Sequence, residues 1–348
     1  MTTGFGIIGC GMIAKFHARA IADLDDARLV ACYNRTPPKA DALAGEFGGD
    51  VYTDLEQMLA RDDLDVVTIC TPSGAHCEPT VAAARAGKHV IVEKPLDVTR
   101  ERCQAMIDAC AQAGVKLATI FPSRFHRSSQ LMKQAVDQSR FGTLALGDAC
   151  VKWFRTQEYY DSGAWRGTWE MDGGGALMNQ AIHSVDLLLW LMGPVVEVMA
   201  HTATLAHERI EVEDVATATL RFANGALGTI VATTAGYPGS LKRIELSGSQ
   251  GTAILEEEDI IKWEFAQVHA QDAELRAEMQ GRTKTGGGAA DPAAIGHHAH
   301  TLLFQDFLEA IAQDRAPTID GLEGMRSVDL ILAVYESAKT GKRVLLSQ

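Results

Sequence analysis

The sequence predicts an α/β fold in two parts: a doubly wound parallel sheet over residues 1–122 and an α+β domain with a large, mostly antiparallel sheet over residues 123–348. Three observations lead there. Apolar runs alternate with helical patterns as far as residue 120, strand candidates then follow one another, and 348 residues suffice for two domains at about 150 residues each.

In the first part, Phe5–Ile8, Leu29–Tyr33, Val66–Cys70, His89–Val92 and Lys116–Ile120 are the predicted strands. Helical patterns fill the gaps at 12–24, 39–47, 55–60, 78–86 and 100–113. Runs such as VVTIC and VIV are apolar on both faces, as a parallel sheet covered by helices requires. Gly48, Gly87 and Gly114 each follow a helical pattern, where a left-handed residue ends a helix. In the second part the strand candidates are 145–154, 196–205, 215–222, 226–234, 244–247 and 252–255. Asn224-Gly225 predicts a two-residue type I′ hairpin turn. A long helix is expected over 176–192, a flexible loop over 283–296, and a closing helix over 326–340 that packs back on the first domain.

Charge narrows the function classes. Against 45 Asp and Glu stand 32 Lys and Arg, a net charge of −13 without a basic block, so neither nucleic acid nor an anionic membrane is an expected partner. The N-terminus enters a strand almost at once and shows no export signal. The seven cysteines form no CxxC pair, which fits reduced thiols and a cytoplasmic protein, with no metal site expected.

Four motifs carry chemistry. Gly9-Cys10-Gly11-Met12-Ile13-Ala14 joins the first strand to the first helix as a GxGxxA. Gly9 permits a tight turn, Gly11 lets a pyrophosphate approach the backbone, the N–H groups of Met12 and Ile13 open the helix, and Ala14 allows close packing. This predicts a nicotinamide dinucleotide. Asn34-Arg35-Thr36 ends the second strand without the carboxylate that usually meets the ribose of NAD, and Arg35 there favours a 2′-phosphate, hence NADP over NAD. Thr71-Pro72-Ser73-Gly74-Ala75-His76 and Glu93-Lys94-Pro95 follow later strands at their carboxyl ends, where ligands of such sheets bind. Thr71, Pro72, Ser73, His76, Glu93 and Lys94 therefore join the cofactor-site candidates. Finally, Gly173-Gly174-Gly175 feeds a helix on which Asn179 and His183 stand four apart and so share one face.

Taken in order, GIIGCGMIA, TPSGAH, VIVEKPL and GGGALMNQAIHSVD resemble the Gfo/Idh/MocA oxidoreductases over nearly the whole chain. The resemblance implies an N-terminal Rossmann domain, a C-terminal domain whose open-faced sheet binds substrate on one side and forms a homodimer or homotetramer on the other, and hydride transfer between NAD(P) and a sugar or cyclitol alcohol. It implies catalytic roles for Lys94 and His183, with Asn179 as a third catalytic residue that orients substrate or His183. Many members carry Asp four residues before that histidine, where this chain has Asn179. Trp165-Arg166 matches a segment beside the nicotinamide, and Arg124-Phe125 another bordering the active site. Tyr159, Tyr160, Trp165 and Arg166 suit a pyranose pocket, and Lys94, Arg124, Tyr160, Asn179 and His183 are the expected substrate residues.

The implied reaction is alcohol oxidation, with His183 as general base and Lys94 stabilising alkoxide charge on the same oxygen. Two competitors use the same scaffold: redox-neutral glycoside cleavage through a 3-keto intermediate, and a non-catalytic cofactor-binding regulator. Intact Lys94 and His183 argue against the regulator. His297-His298 with His300 lacks partner ligands at metal spacing and is expected at a loop-to-helix junction, and Glu256-Glu257-Glu258-Asp259 is expected as a solvated turn.

Overall fold

The computed structural model describes residues 2–283, 288–289 and 296–346, so most of the loop expected over 283–296 lies outside the described residues. The chain divides into two compact units, residues 1–122 with 296–328 and residues 123–295 with 329–348.

The first unit is built on a six-stranded parallel sheet of β1 (Thr3–Ile8), β2 (Ala27–Tyr33), β3 (Asp50–Tyr52), β4 (Val66–Ile69), β5 (His89–Val92) and β6 (Leu117–Thr119) in the order β3-β2-β1-β4-β5-β6. β3 is an edge strand of three residues, too short for periodicity to reveal. The strand order reverses between β1 and β4, so the loops leaving these strands flank the switch point where such sheets bind ligands. Between the strands run α1 (Met12–Ala22), α2 (Pro37–Phe47), α3 (Leu55–Leu59), α4 (Cys77–Arg85) and α5 (Arg100–Ala113).

The second unit holds an eight-stranded sheet, ordered β13-β12-β11-β7-β10-β9-β8-β14. Its strands are β7 (Leu144–Lys152), β8 (Val195–Ala203), β9 (Val215–Phe222), β10 (Leu227–Thr233), β11 (Arg243–Gly248), β12 (Gly251–Glu256), β13 (Asp259–Phe265) and β14 (Val344–Leu345). All pairings are antiparallel except β7 with β10. With it come α6 (Arg127–Asp137), α7 (Gln157–Asp161), α8 (Ile182–Met192) and α9 (Asp272–Glu278). β9 shows the two-faced pattern plainly: Ala216, Ala218, Leu220 and Phe222 are buried while Thr217, Thr219 and Arg221 face solvent.

Several expectations change. The chain re-enters the first unit at Gly296 rather than staying in the second domain, because α10 (His298–Ala312) covers a sheet face: Phe304 stacks on Phe5 at 5.8 Å and meets His17 edge-on at 5.3 Å. α11 (Gly321–Thr340) is longer than predicted and divides between the units after Val328; its Ser337 donates to the Lys342 carbonyl and accepts from Ala200 N–H within the second unit. The Asn224-Gly225 turn is not type I′, since only Gly225 has positive φ (89°). Gly225 N–H bonds Phe222 O and Phe222 N–H bonds Ala226 O, a three-residue hairpin of a type I turn plus a left-handed glycine. The acidic run splits across a further hairpin: Glu256 ends β12, Asp259 opens the unpredicted β13, and the half-buried Glu257 pairs with Lys242 at 3.3 Å. Alternating charges at Lys262 and Glu264 masked that strand, whose Ile260 and Trp263 are buried.

α8 is pinned by an interior ion pair. The Arg124 guanidinium donates to Asp186 from Nε (2.9 Å) and Nη2 (2.6 Å), with the two side chains 3% and 0% exposed. Removing one member leaves a buried charge, so Asp186→Ala is expected to cost about 3–5 kcal/mol in chemical denaturation, whereas Arg28→Ala at the exposed Asp63 pair falls below about 1 kcal/mol.

Candidate functional site

In the first unit the glycine loop has the shape a dinucleotide needs. Gly9 lies at φ 95°, and a Cβ there would sit 2.7 Å from the Cys70 carbonyl, so conformation and space both demand glycine. A Cβ on Gly11 would meet nothing within 4 Å, leaving open space before the α1 N-terminus, which no side chain caps. Ala14 is fully buried, as the close packing of α1 requires, while Met12 is exposed. These features fit a diphosphate seated on the backbone N–H groups of Met12 and Ile13. Asn34 braces this loop: its Oδ1 accepts Cys10 N–H at 3.1 Å and its Nδ2 donates to Thr36 O at 2.9 Å. Arg35 beside it is exposed.

Two buried histidines hold the two functional turns. His76, expected in the cofactor site, is 1% exposed, with Nδ1 2.9 Å from Pro95 O and Nε2 3.0 Å from Thr71 O. It ties the Thr71–His76 turn to the Glu93–Pro95 turn. Thr71 Oγ1 donates to Ala75 O, Pro72 precedes the 3-10 turn Ser73–Ala75, and Ser73 is buried. His17, which no motif singled out, is fully buried on α1, with Nδ1 2.6 Å from Thr68 Oγ1 and Nε2 2.7 Å from Glu93 Oε1. The other Glu93 oxygen accepts the Lys94 backbone N–H at 3.0 Å. From Ile91 to Val98 every residue is buried except Lys94, so the turn presents that one side chain.

His300 lies against this pair, its ring 5.6 Å from that of His17. The expected loop-to-helix junction falls at His297, the cap of α10, and His300 lies in the first turn of that helix. Ligand atoms of His17, Glu93 and His300 lie within 4.8 Å of one another, with no carboxylate beyond Glu93 in the group. Burial pushes His300 down to about 4, with His17 adding to it, so it is neutral.

In the second unit the expected helix begins as a π-helical turn, Ala176–Ala181, and continues as α8. Asn179 and His183 are its half-open positions between buried neighbours. Glu213, 3% exposed, anchors the turn by accepting Gly175 N–H (3.0 Å), Leu177 N–H (2.8 Å) and Tyr335 O–H (3.0 Å). A Cβ on Gly175 would lie 1.9 Å from Glu213 O and one on Gly174 2.1 Å from Tyr335 Oη, which explains the glycine run. Burial lifts Glu213 to about 7 despite those donors.

A carboxylate reaches Asn179. Its Nδ2 donates to Asp172, a buried residue whose other oxygen accepts Gly167 N–H at 2.8 Å. Asn179 Oδ1 accepts from Gln180 Nε2 at 2.6 Å. Gln180 Nε2 also donates to Tyr159 Oη at 2.9 Å, as does Arg166 Nη1 at 2.6 Å. Asp172 and Gln180 were not among the expected site residues, whereas Tyr159 was expected in a pyranose pocket; the acid directly before the glycine run was the available signal.

The structure puts two expected substrate residues to other uses. Tyr160 is 5% exposed, its hydroxyl 2.9 Å from Thr234 Oγ1 and its ring on His207 at 4.7 Å. Arg124 is 2% exposed and committed to Asp186, with its guanidinium 5.6 Å from the Trp190 ring. Trp165 and Arg166 are half-open and stacked, 4.5 Å apart.

The family model described as oxidoreductase family, NAD-binding Rossmann fold, matches residues 3–121, and that of the GFO/IDH/MocA C-terminal domain matches residues 129–254. The chain belongs to the Gfo/Idh/MocA oxidoreductase family. Inositol 2-dehydrogenase of Rhizobium meliloti (strain 1021) is 32% identical over 270 residues, 76% of this chain and 79% of that one. D-glucoside 3-dehydrogenase of Escherichia coli (strain K12) is 28% identical, covering 98% of this chain and 96% of its own. Among solved structures, the WlbA dehydrogenase from Bordetella pertussis in complex with NADH and UDP-GlcNAcA superposes with TM-score 0.90 at 38% identity, over 100% of this chain and 98% of that one. Like other members of the family, the chain is an NAD(P)-dependent oxidoreductase. Among the described residues no helix is long and apolar enough to cross a membrane.

The His17–Glu93 pair gives this oxidoreductase a defined pH response. Burial opposes ionisation of Glu93, but the His17 hydrogen bond and charge hold it at about 2. Burial likewise opposes His17, but Cys70 and Glu93 raise it to about 10. A depressed acid contributes stability that fades as pH falls from its unfolded value near 4.5 towards 2, and a raised base contributes stability that fades as pH rises from 6.5 towards 10. Glu93→Gln is therefore expected to lose most stability between about pH 4.5 and 6.5, with the gap from wild type narrowing on either side. Thermal melts across pH, both proteins in parallel, check this; a constant gap refutes the ion pair.

Proposed function

We propose that the protein is an NAD-dependent dehydrogenase of a sugar or sugar derivative that oxidises a secondary alcohol to a ketone, using Lys94 and His183. One observation carries the reading: a single chain combines an open, uncapped glycine loop with a turn that presents Lys94 alone and a helix that keeps Asn179 and His183 half-open. When bound, the nicotinamide supplies the hydride acceptor. His183 takes the hydroxyl proton, which imidazole suits because it titrates near neutrality. Lys94 donates a hydrogen bond to the same oxygen and stabilises its growing negative charge. Asn179, fixed between Asp172 and Gln180, orients the sugar.

The relatives' names support net dehydrogenation over glycoside cleavage or a regulatory role: they include inositol 2-dehydrogenase, D-glucoside 3-dehydrogenase and levoglucosan dehydrogenase. The complex of the WlbA dehydrogenase with UDP-GlcNAcA at 38% identity supports an acidic sugar derivative as the substrate. The NADH complexes among the solved relatives support NAD, with the exposed Arg35 over the adenosine end rather than on a 2′-phosphate. The open face of the eight-stranded sheet, with Leu146, Met199 and Leu227 exposed on it, supports self-association in the cytoplasm, where cysteines outside any disulfide persist.

Three outcomes are expected. Lys94→Ala and His183→Ala each lower kcat by at least about 10²-fold while NADH binding by fluorescence persists; normal turnover in both variants sinks the assignment. NADH and ketone form in equal amounts, and kcat/KM is higher with NAD than NADP. Leu146→Asp with Leu227→Asp reduces the molar mass seen in light scattering to that of one chain.

A further inference from the structure

Tyr159 is built as a proton donor. Its hydroxyl oxygen already accepts two hydrogen bonds, from Arg166 Nη1 at 2.6 Å and Gln180 Nε2 at 2.9 Å. Neither can be reversed. A guanidinium only donates, and the Gln180 amide is fixed because its Oε1 accepts from Arg155 Nη2 at 2.8 Å. Both lone pairs being used, the phenol can only donate its own proton, and among the described residues no group accepts it.

The surroundings favour a negative acceptor. The Arg166 guanidinium lies 4.3 Å and that of Arg155 5.6 Å from the Tyr159 ring centre. Arg166 and Arg155 favour negative charge at the phenol, and Asp172 opposes it. Asp172 accepts from Asn179 and Gly167 N–H, and Arg155 donates to the carbonyls of Phe154, Gly288 and Ala289 and to Gln180. Among the described residues neither arginine has an acidic partner, and Nε and Nη2 of Arg166 have no acceptor. Burial raises the Tyr159 pKa, which keeps the proton on the oxygen.

We propose that Tyr159 O–H and the Arg166 guanidinium form a donor fork for a carboxylate of the substrate, and that this fork makes the enzyme select an acidic sugar over its neutral counterpart. Adjacent O–H and N–H donors match the two oxygens of one planar carboxylate. A site with such donors rejects a ligand lacking the matching oxygen, because the donors are then left desolvated and unmet. The inference rests on the dehydrogenase reading above for its sugar, but not for its test.

The test is equilibrium binding to NADH-loaded protein by calorimetry, with two acid–neutral pairs: UDP-GlcNAcA against UDP-GlcNAc, and D-glucuronate against D-glucose. Wild type is expected to bind an acid at least about 10²-fold tighter than its neutral partner, and Tyr159→Phe to reduce that ratio about tenfold, Arg166→Gln further. Tyr160→Phe, which alters only the bond to Thr234, keeps the ratio, and near-ultraviolet circular dichroism shows whether each variant is folded. No acid preference in wild type, or an undiminished one in Tyr159→Phe, overturns the fork. Turnover of the same four compounds is scored separately. Acid-selective binding without NADH formation upholds the fork and sinks the dehydrogenase reading, whereas turnover without acid preference does the reverse.

Discussion

The turn that bears Lys94 and the glycine run that opens the Asn179 helix each hang on a buried carboxylate that accepts backbone N–H groups. A loop that departs from helix or strand leaves donors unpaired, and burying them without acceptors costs about 1–3 kcal/mol apiece. Glu93 meets the N–H of Lys94, Glu213 those of Gly175 and Leu177, and Asp172 that of Gly167. Asp97 does the same for Cys77 and Val98, and Asp214 for Leu205, Ala206 and His207. With Asp186 and Asp272, seven acids are thus buried among the described residues. Part of the −13 net charge belongs to the interior, where it shapes loops instead of repelling partners.

These acids also set the electrical surroundings of the residues they hold. Glu93 is balanced by His17, so the turn bearing Lys94 rests on a pair of opposite charges with neutral His300 behind it. Asp172 accepts from Asn179 and from Gly167 N–H. A neutral amide thereby carries the field of an acid one bond away.

Much of the site was legible in the chain because it depends on local backbone shape. Gly9 and Gly11 act through φ and the lack of a Cβ, and a glycine pattern between strand and helix records both. Lys94 stands in a short motif whose neighbours are apolar or spent. Arg124 and Tyr160 were misread for the opposite reason: an arginine or tyrosine near a motif looks the same whether its polar end meets ligand or a partner such as Asp186 or Thr234, far along the chain. Tyr159 and Tyr160 are adjacent, yet one ring faces His207 and the other two guanidinia.

The sequence by itself determined the doubly wound sheet, the mixed second sheet, the dinucleotide loop and the family, since periodicity, glycine placement and short motifs are properties of neighbouring residues. Tertiary structure alone decided that residues 296–328 return to complete the first unit, that a helix opens as a π turn, and that His17, Asp172 and Glu213 support the functional segments. The bonds of His17 to Glu93, Gly175 to Glu213 and Asn179 to Asp172 join groups 76, 38 and 7 positions apart. Such pairings are set by which buried donor lacks an acceptor once the chain has folded, a condition that no stretch of sequence records.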